Sequence, residues 1–269
     1  MIKNAPTLNG RAVVFGLLAI ALVIVAPIGH GWAQGARPEL ITFTSGELAL
    51  KGFIWKPEGP GPFPAILWNH GSEKQPSTVD TVAPYFVGRG YIFLAPHRRG
   101  QGQSPGAYIV NQLNVVALNE VHLEDQLAAL AYLRSLPYVD QNRLVVMGAG
   151  FGGIQTMLAV GRGSGYRVAV NCSGAAIIWS GSPDLRARLT AAASKATMPV
   201  FFLQAENDYD LTPNRVLSEE VRKAGKPAEI KTYPAFGSGA REGHSFCWLG
   251  TNIWGPDVLK FIEANLKRG

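Results

Sequence analysis

From residue 40 onward, short runs rich in Val, Ile, Leu and Phe alternate with longer stretches whose apolar positions recur every three or four residues. The first kind suits strands and the second amphipathic helices. Leu40–Thr44 and Glu47–Lys56, separated by Ser45-Gly46, predict a hairpin. Phe63–Asn69, Tyr91–Ala95, Arg143–Met147, Tyr166–Asn171, Pro199–Gln204 and Ala228–Tyr233 are nearly continuous apolar runs, as in strands covered on both faces. Helices are predicted over Thr81–Gly88, Val115–Leu136, Gly153–Val160, Pro213–Ala224 and Ile253–Leu266. The clearest is Val115–Leu136, where Leu118, Val121, Leu127, Leu130, Ala131 and Leu133 form the apolar stripe and Pro137 ends it. Ser180–Thr197 has room for one short helix only, which argues against a large lid. The alternation predicts an α/β domain: a mostly parallel sheet of about eight strands with helices on both faces.

Residues 1–33 stand apart from this pattern. Lys3 and Arg11 precede an uncharged run from Ala12 to Ala26, shorter than the ~20 residues a spanning helix needs. Pro27 and Gly29 follow, then Gly31-Trp32-Ala33 before Gln34, the small-x-small spacing of a signal-peptidase site. Residues 1–33 are therefore read as a signal peptide, and the remaining domain as exported, periplasmic or secreted. An uncleaved N-terminal membrane anchor is the alternative, since the uncharged stretch continues to Ala36 if Pro27 is tolerated.

Composition narrows the class. The 269 residues are 47% hydrophobic and 16% charged, which excludes a disordered chain or a coiled coil. The net charge of +6 falls to +4 once Lys3 and Arg11 leave with the signal peptide, and no basic block or basic-aromatic stripe suggests nucleic acid. Two cysteines, Cys172 and Cys247, could pair in an oxidising compartment, but a domain of this size needs no disulfide and they read as separate buried thiols, with the pairing left open. No Cys/His group has zinc spacing, so no metal is expected. There are 31 glycines, above the usual ~7%, a sign of tight turns and close backbone approaches.

Ligands of open α/β sheets collect beyond the carboxyl ends of the strands. There the segment Met147-Gly148-Ala149-Gly150-Phe151-Gly152-Gly153 joins a strand to a helix. Gly148, Gly150 and Gly153 match the dinucleotide fingerprint G-x-G-x-x-G, but the next strand ends in Val170-Asn171-Cys172-Ser173 with no acid for a ribose. Gly148 and Gly152 also match the flanking glycines of a nucleophile elbow, G-x-S-x-G, with Gly150 at the central position. Asn69-His70-Gly71-Ser72 follows the third run, where an oxyanion-hole amide would be supplied. Ala205-Glu206-Asn207-Asp208 follows the run Pro199–Gln204, and a glycine-rich loop from Gly237 to Gly243 precedes His244 and the last helix. Elbow, acid, histidine is the chain order of α/β-hydrolases.

On these residues the sequence resembles the α/β-hydrolase superfamily, and within it small lid-less hydrolases of the dienelactone-hydrolase-like and prolyl-oligopeptidase-like kind. The resemblance covers roughly residues 40–267 and rests on NHGS at Asn69–Ser72, PHRRGQGQSPG at Pro96–Gly106, MGAGFGG at Met147–Gly153, QAENDYD at Gln204–Asp210 and GHSFCWLG at Gly243–Gly250. It implies a serine-hydrolase-like enzyme acting on carboxylic esters or related acyl bonds of a small-molecule substrate, with no cofactor. It makes His244 the general base, Asp208 its orienting acid with Asp210 as rival, the Phe151 amide one oxyanion donor and Gly71 or Ser72 the other.

The departure is Gly150, where the resemblance requires Ser or Cys. Acyl transfer through this residue is excluded, so impaired or absent hydrolysis is expected, with a non-catalytic binding protein as the alternative. Two further readings stay open: a water deprotonated by His244 in place of the serine, and Ser173 or Cys172 as a substitute nucleophile off the elbow. His70 reads as a residue fixing its own turn, His97, Arg98 and Arg99 as part of a structural loop, and His122, Glu124 and Asp125 as a solvated helix face. Trp248 and Trp254 either line a pocket or pack.

Overall fold

The computed structural model describes Met1 and residues 37–267, except Thr78, Asp80 and Asn111. The signal peptide expected over residues 1–33 lies, apart from Met1, outside the described residues. Among the described residues no helix is long and apolar enough to cross a membrane.

The strands are β1 (Glu39–Ser45), β2 (Leu48–Trp55), β3 (Phe63–Asn69), β4 (Ile92–Pro96), β5 (Val139–Ala149), β6 (Val168–Cys172), β7 (Val200–Ala205) and β8 (Ala228–Tyr233). The helices are α1 (Val82–Val87), α2 (Val115–Ser135), α3 (Phe151–Gly161), α4 (Pro183–Ala193), α5 (Thr212–Lys223), α6 (Ala240–Leu249) and α7 (Thr251–Leu266). One eight-stranded sheet runs in the order β1-β2-β4-β3-β5-β6-β7-β8. The β1/β2 and β2/β4 pairs are antiparallel, and every pair from β4 to β8 is parallel. This is the α/β architecture expected from the alternation of runs. Strand β5 begins four residues earlier than predicted, because Val139 pairs with Phe63 across an irregularity in the ladder.

Period-two alternation builds the two halves of the core. In β3, Ala65 and Leu67 face the side covered by α2, α3, α4 and α5, while Ile66 and Trp68 face the side covered by α1, α6 and α7. Both faces of the central strands are therefore dry, which explains why their sequences read as unbroken apolar runs rather than as alternating ones.

Three expectations need correction. The face of α2 carrying His122 and Asp125 is buried, not solvated; only Glu124 of the three is exposed, where it pairs with Arg162. Asp125 is tolerated inside because its carboxylate accepts from Ser45 Oγ at 2.7 Å, from the Arg99 amide at 2.9 Å and from the Arg99 guanidinium at 2.6 Å. Burying a charge costs heavily unless it is paired in this way. Cys172 and Cys247 are not separate thiols but form a disulfide. Finally, His244 does not follow a loop; it sits in α6, which no sequence pattern marked.

Candidate active site

The chain turns sharply from β5 into α3 at Gly150, whose φ of +54° lies in the left-handed region that side-chain-bearing residues avoid. Its neighbours show why this turn is glycine-rich. A β-carbon on Gly148 would fall 2.2 Å from the Gly152 carbonyl oxygen, and one on Gly152 would fall 1.9 Å from the Asn69 carbonyl oxygen. These glycines let the turn press against itself and against the end of β3. In the G-x-G-x-x-G match, Gly148 and Gly153 are thus spent on protein atoms, since a β-carbon on Gly153 would fall 2.6 Å from the Gly174 α-carbon. They do not free a cradle for a pyrophosphate.

Gly150 differs from both. The nearest atom to a β-carbon built there is Nε2 of His244, at 2.7 Å. Ordinary contact would need ~3.4 Å or more, so the imidazole occupies part of the volume that a serine side chain would fill. Neither residue weighed as a substitute is free to act: Cys172 is in the disulfide, and Ser173 is buried, its hydroxyl 3.2 Å from Cys247 Sγ.

His244 is held from two directions. Its Nδ1 lies 2.9 Å from Oδ1 of Asp208, in the turn after β7. Asp208 is a buried carboxylate oriented by the Tyr209 amide at 2.7 Å and by Gln204 Nε2 at 3.4 Å. With Nδ1–H donating to Asp208, the second ring nitrogen is left as an acceptor pointing at Gly150. Asp210 turns the other way and accepts the Thr212 amide at the start of α5, at 2.8 Å. Tyr209 and Trp248 flank the imidazole edge-on, with ring centroids 5.7 and 6.0 Å away.

The helix carrying His244 is anchored at both ends. Glu242 accepts from the Ser238 amide and hydroxyl and from the Gly239 amide, and these donors hold its carboxyl below the usual range. One turn after His244, Cys247 joins Cys172 at the end of β6. The Cys172 carbonyl in turn accepts the Gly150 amide at 2.9 Å. The disulfide therefore links the histidine's helix to the hydrogen-bond partner of the elbow residue, and sequence spacing gave no sign of this.

Backbone donors face the same place. The first amides of α3 have no intrahelical partner; those of Gly153 and Ile154 turn back to the Gly150 carbonyl, whereas that of Phe151 lies ahead of that turn. Across the site, the His70-Gly71 turn is fixed from beneath by Arg98. Its buried guanidinium donates to the His70 carbonyl at 3.1 Å, to the Gly71 carbonyl, and to His70 Nδ1 at 3.1 Å, while its Nε donates to Gln101 at 2.9 Å. Burial pulls Arg98 down to about 10, so it keeps its charge at neutral pH. Burial and then the Arg98 charge push His70 well below the usual imidazole range and His97 down to about 4, and the same two causes take His122 to about 2. All three are neutral at neutral pH. They pack around the guanidinium, a structural placement that for His70 and His97 matches the sequence reading.

A cavity of about 480 Å³ opens over Gly150 and His244. Trp68, Phe151, Ile154, Ile177 and Trp248 supply its apolar walls, and Gly71, Ser72 and Glu73 line it along the turn after β3. Trp248 thus lines the cavity, whereas Trp254 is buried in the core, its Nε1 donating to the Phe246 carbonyl at 3.1 Å.

Comparison with known proteins agrees with this geometry. The model of the prolyl oligopeptidase family matches residues 77–178. The quorum-quenching protein AidA of Acinetobacter baumannii is 32% identical over 114 residues, covering 42% of this chain and 36% of that protein. The uncharacterized peptidase YtmA of Bacillus subtilis is 24% identical over 234 residues, covering 76% of this chain and 87% of that one. Among solved structures, the acylaminoacyl peptidase of Pyrococcus horikoshii superposes with a TM-score of 0.70 at 19% identity, over 87% of this chain and 42% of that one. The chain thus spans less than half the length of AidA and of the acylaminoacyl peptidase. Sheet order, elbow, the order of acid and histidine, and these matches converge on one conclusion: the chain has the α/β-hydrolase fold, and residues 77–178 are similar to the prolyl oligopeptidase family.

Proposed function

We propose that this protein binds carboxylic esters or related acyl compounds in the cavity over Gly150 and hydrolyses them slowly, with water as the attacking group. One observation carries the reading: His244, backed by Asp208, presents Nε2 to an elbow residue that has no side chain. A water in the cavity attacks the carbonyl carbon while Nε2 takes its proton. The negative oxygen of the tetrahedral intermediate receives the amide of Phe151 and that of Gly71 or Ser72. The acyl–oxygen bond then breaks, the proton passes from Nε2 to the departing alkoxide, and acid and alcohol leave. No acyl-enzyme forms.

Removing the nucleophile from such a site leaves ~10³–10⁴-fold catalysis over water, from the oxyanion donors and binding alone. Turnover of short p-nitrophenyl esters in or above that range is expected, without a burst of p-nitrophenol, and His244→Ala should lower it to the part that the oxyanion donors and binding supply alone. Turnover unchanged by His244→Ala would contradict the assignment. The second reading, binding without chemistry, is favoured by the approach of His244 into the serine volume; ester binding with no His244-dependent turnover would establish it.

Export to an oxidising compartment is part of the proposal. The Cys172–Cys247 disulfide supports it, since such bonds persist outside the reducing cytosol.

A further inference from the structure

The cavity has one charged feature that the chemistry above does not use. Glu73 is exposed on its rim and forms no hydrogen bond or ion pair through its carboxylate with any described residue. The carboxylate folds back over the oxyanion turn, where Oε2 occupies the space a β-carbon on Gly71 would take. Among the described residues no Lys or Arg lines the cavity. Arg98 lies beneath the turn, but it is buried and spends its donors on the His70 and Gly71 carbonyls, His70 Nδ1 and Gln101. The opening thus presents a negative charge, whose partner in charge is the buried Arg98 beneath the turn, beside aromatic walls supplied by Trp68, Phe151 and Trp248.

We propose that Glu73 makes this cavity select ligands that carry a protonated amine beside an apolar or aromatic body. An ammonium group gains both the carboxylate and the negative faces of the indole rings. A carboxylate in the same place finds no Lys or Arg lining the cavity among the described residues and meets a like charge. For the reading under Proposed function, on which this one rests, the preferred acyl compounds are aminoacyl esters and amides with apolar side chains. The amine also offsets a carboxylate that would otherwise oppose the oxyanion developing beside Gly71.

Binding, not turnover, tests this, so that a catalytically silent protein still answers. Titration of the full chain, followed by calorimetry at pH 7, compares three probes of one shape: 2-phenylethylamine (cationic), 2-phenylethanol (neutral) and 3-phenylpropanoate (anionic). The amine is expected to bind about five- to tenfold more tightly than the alcohol, and the anion more weakly than either. Glu73→Gln, a substitution at an exposed side chain, should bring amine and alcohol within about twofold of each other. Equal binding of amine and alcohol by the unaltered protein, an amine preference that survives Glu73→Gln, or no binding of any probe would overturn the proposal. Loss of ester hydrolysis alone would not, because none of the three readouts involves bond cleavage.

Discussion

Gly150→Ser should raise the turnover of short p-nitrophenyl esters by at least ~10²-fold while lowering stability by about 1–3 kcal/mol. The gain follows from supplying a nucleophile to a histidine already backed by Asp208 and facing residue 150. It stays below the ~10⁶-fold that a serine contributes in an optimised triad. The reason is geometric: the new β-carbon starts 2.7 Å from Nε2, so the imidazole must retreat before oxygen and nitrogen can share a proton. The loss of stability comes from placing a side chain at a φ of +54°. Gly150→Ala separates the two effects, since it should lose the same stability and gain no activity. Ester kinetics and urea unfolding of the three proteins check both halves, and Gly150→Ser combined with His244→Ala should return turnover to the level of His244→Ala alone.

Replacing both cysteines of the disulfide by alanine should cost about 2–5 kcal/mol, or roughly 5–15 °C in Tm. The bond closes a loop of 75 residues spanning α4, β7, α5 and β8, so its removal releases a long segment in the unfolded chain. It should also loosen His244, because α6 then depends on Glu242 and on core packing to keep its distance from the elbow. Thermal unfolding of the double variant, and of the unaltered protein with and without reductant, measures the first effect. An unchanged Tm in all three would show that the sheet and helices hold α6 without the bond.

Much of the fold was readable because the central strands are buried on both faces and leave continuous apolar runs. Glycine, set between such a run and a helix, marked the elbow, and the position of Asp208 just after β7 singled it out over Asp210 by nearness to a strand end. What escaped depends on partners distant in sequence. His122 and Asp125 read as a solvated face because they are polar; their burial is bearable only through Ser45 and Arg99, some 80 and 26 residues from Asp125. Helix α6 was masked by its own start, since the run from Gly237 to Gly243 looks like loop and Glu242 supplies the cap that turns it into helix. The disulfide could not be read without α6, because nothing else brings Cys247 to the end of β6. Glu73 carried no motif at all; only the folded cavity shows that its carboxylate stands on a rim with no Lys or Arg among the described lining residues.

On the proposed reading, His244 and Asp208 form a working base beside an elbow that lacks only its nucleophile. Intact-mass analysis after exposure to a serine-directed fluorophosphonate tests it most directly. No adduct is expected on the unaltered protein, one adduct on Gly150→Ser located at residue 150, and none when His244→Ala is added. An adduct on the unaltered protein would reveal a nucleophile elsewhere, and the absence of any adduct on Gly150→Ser would show that His244 does not serve residue 150 as a base.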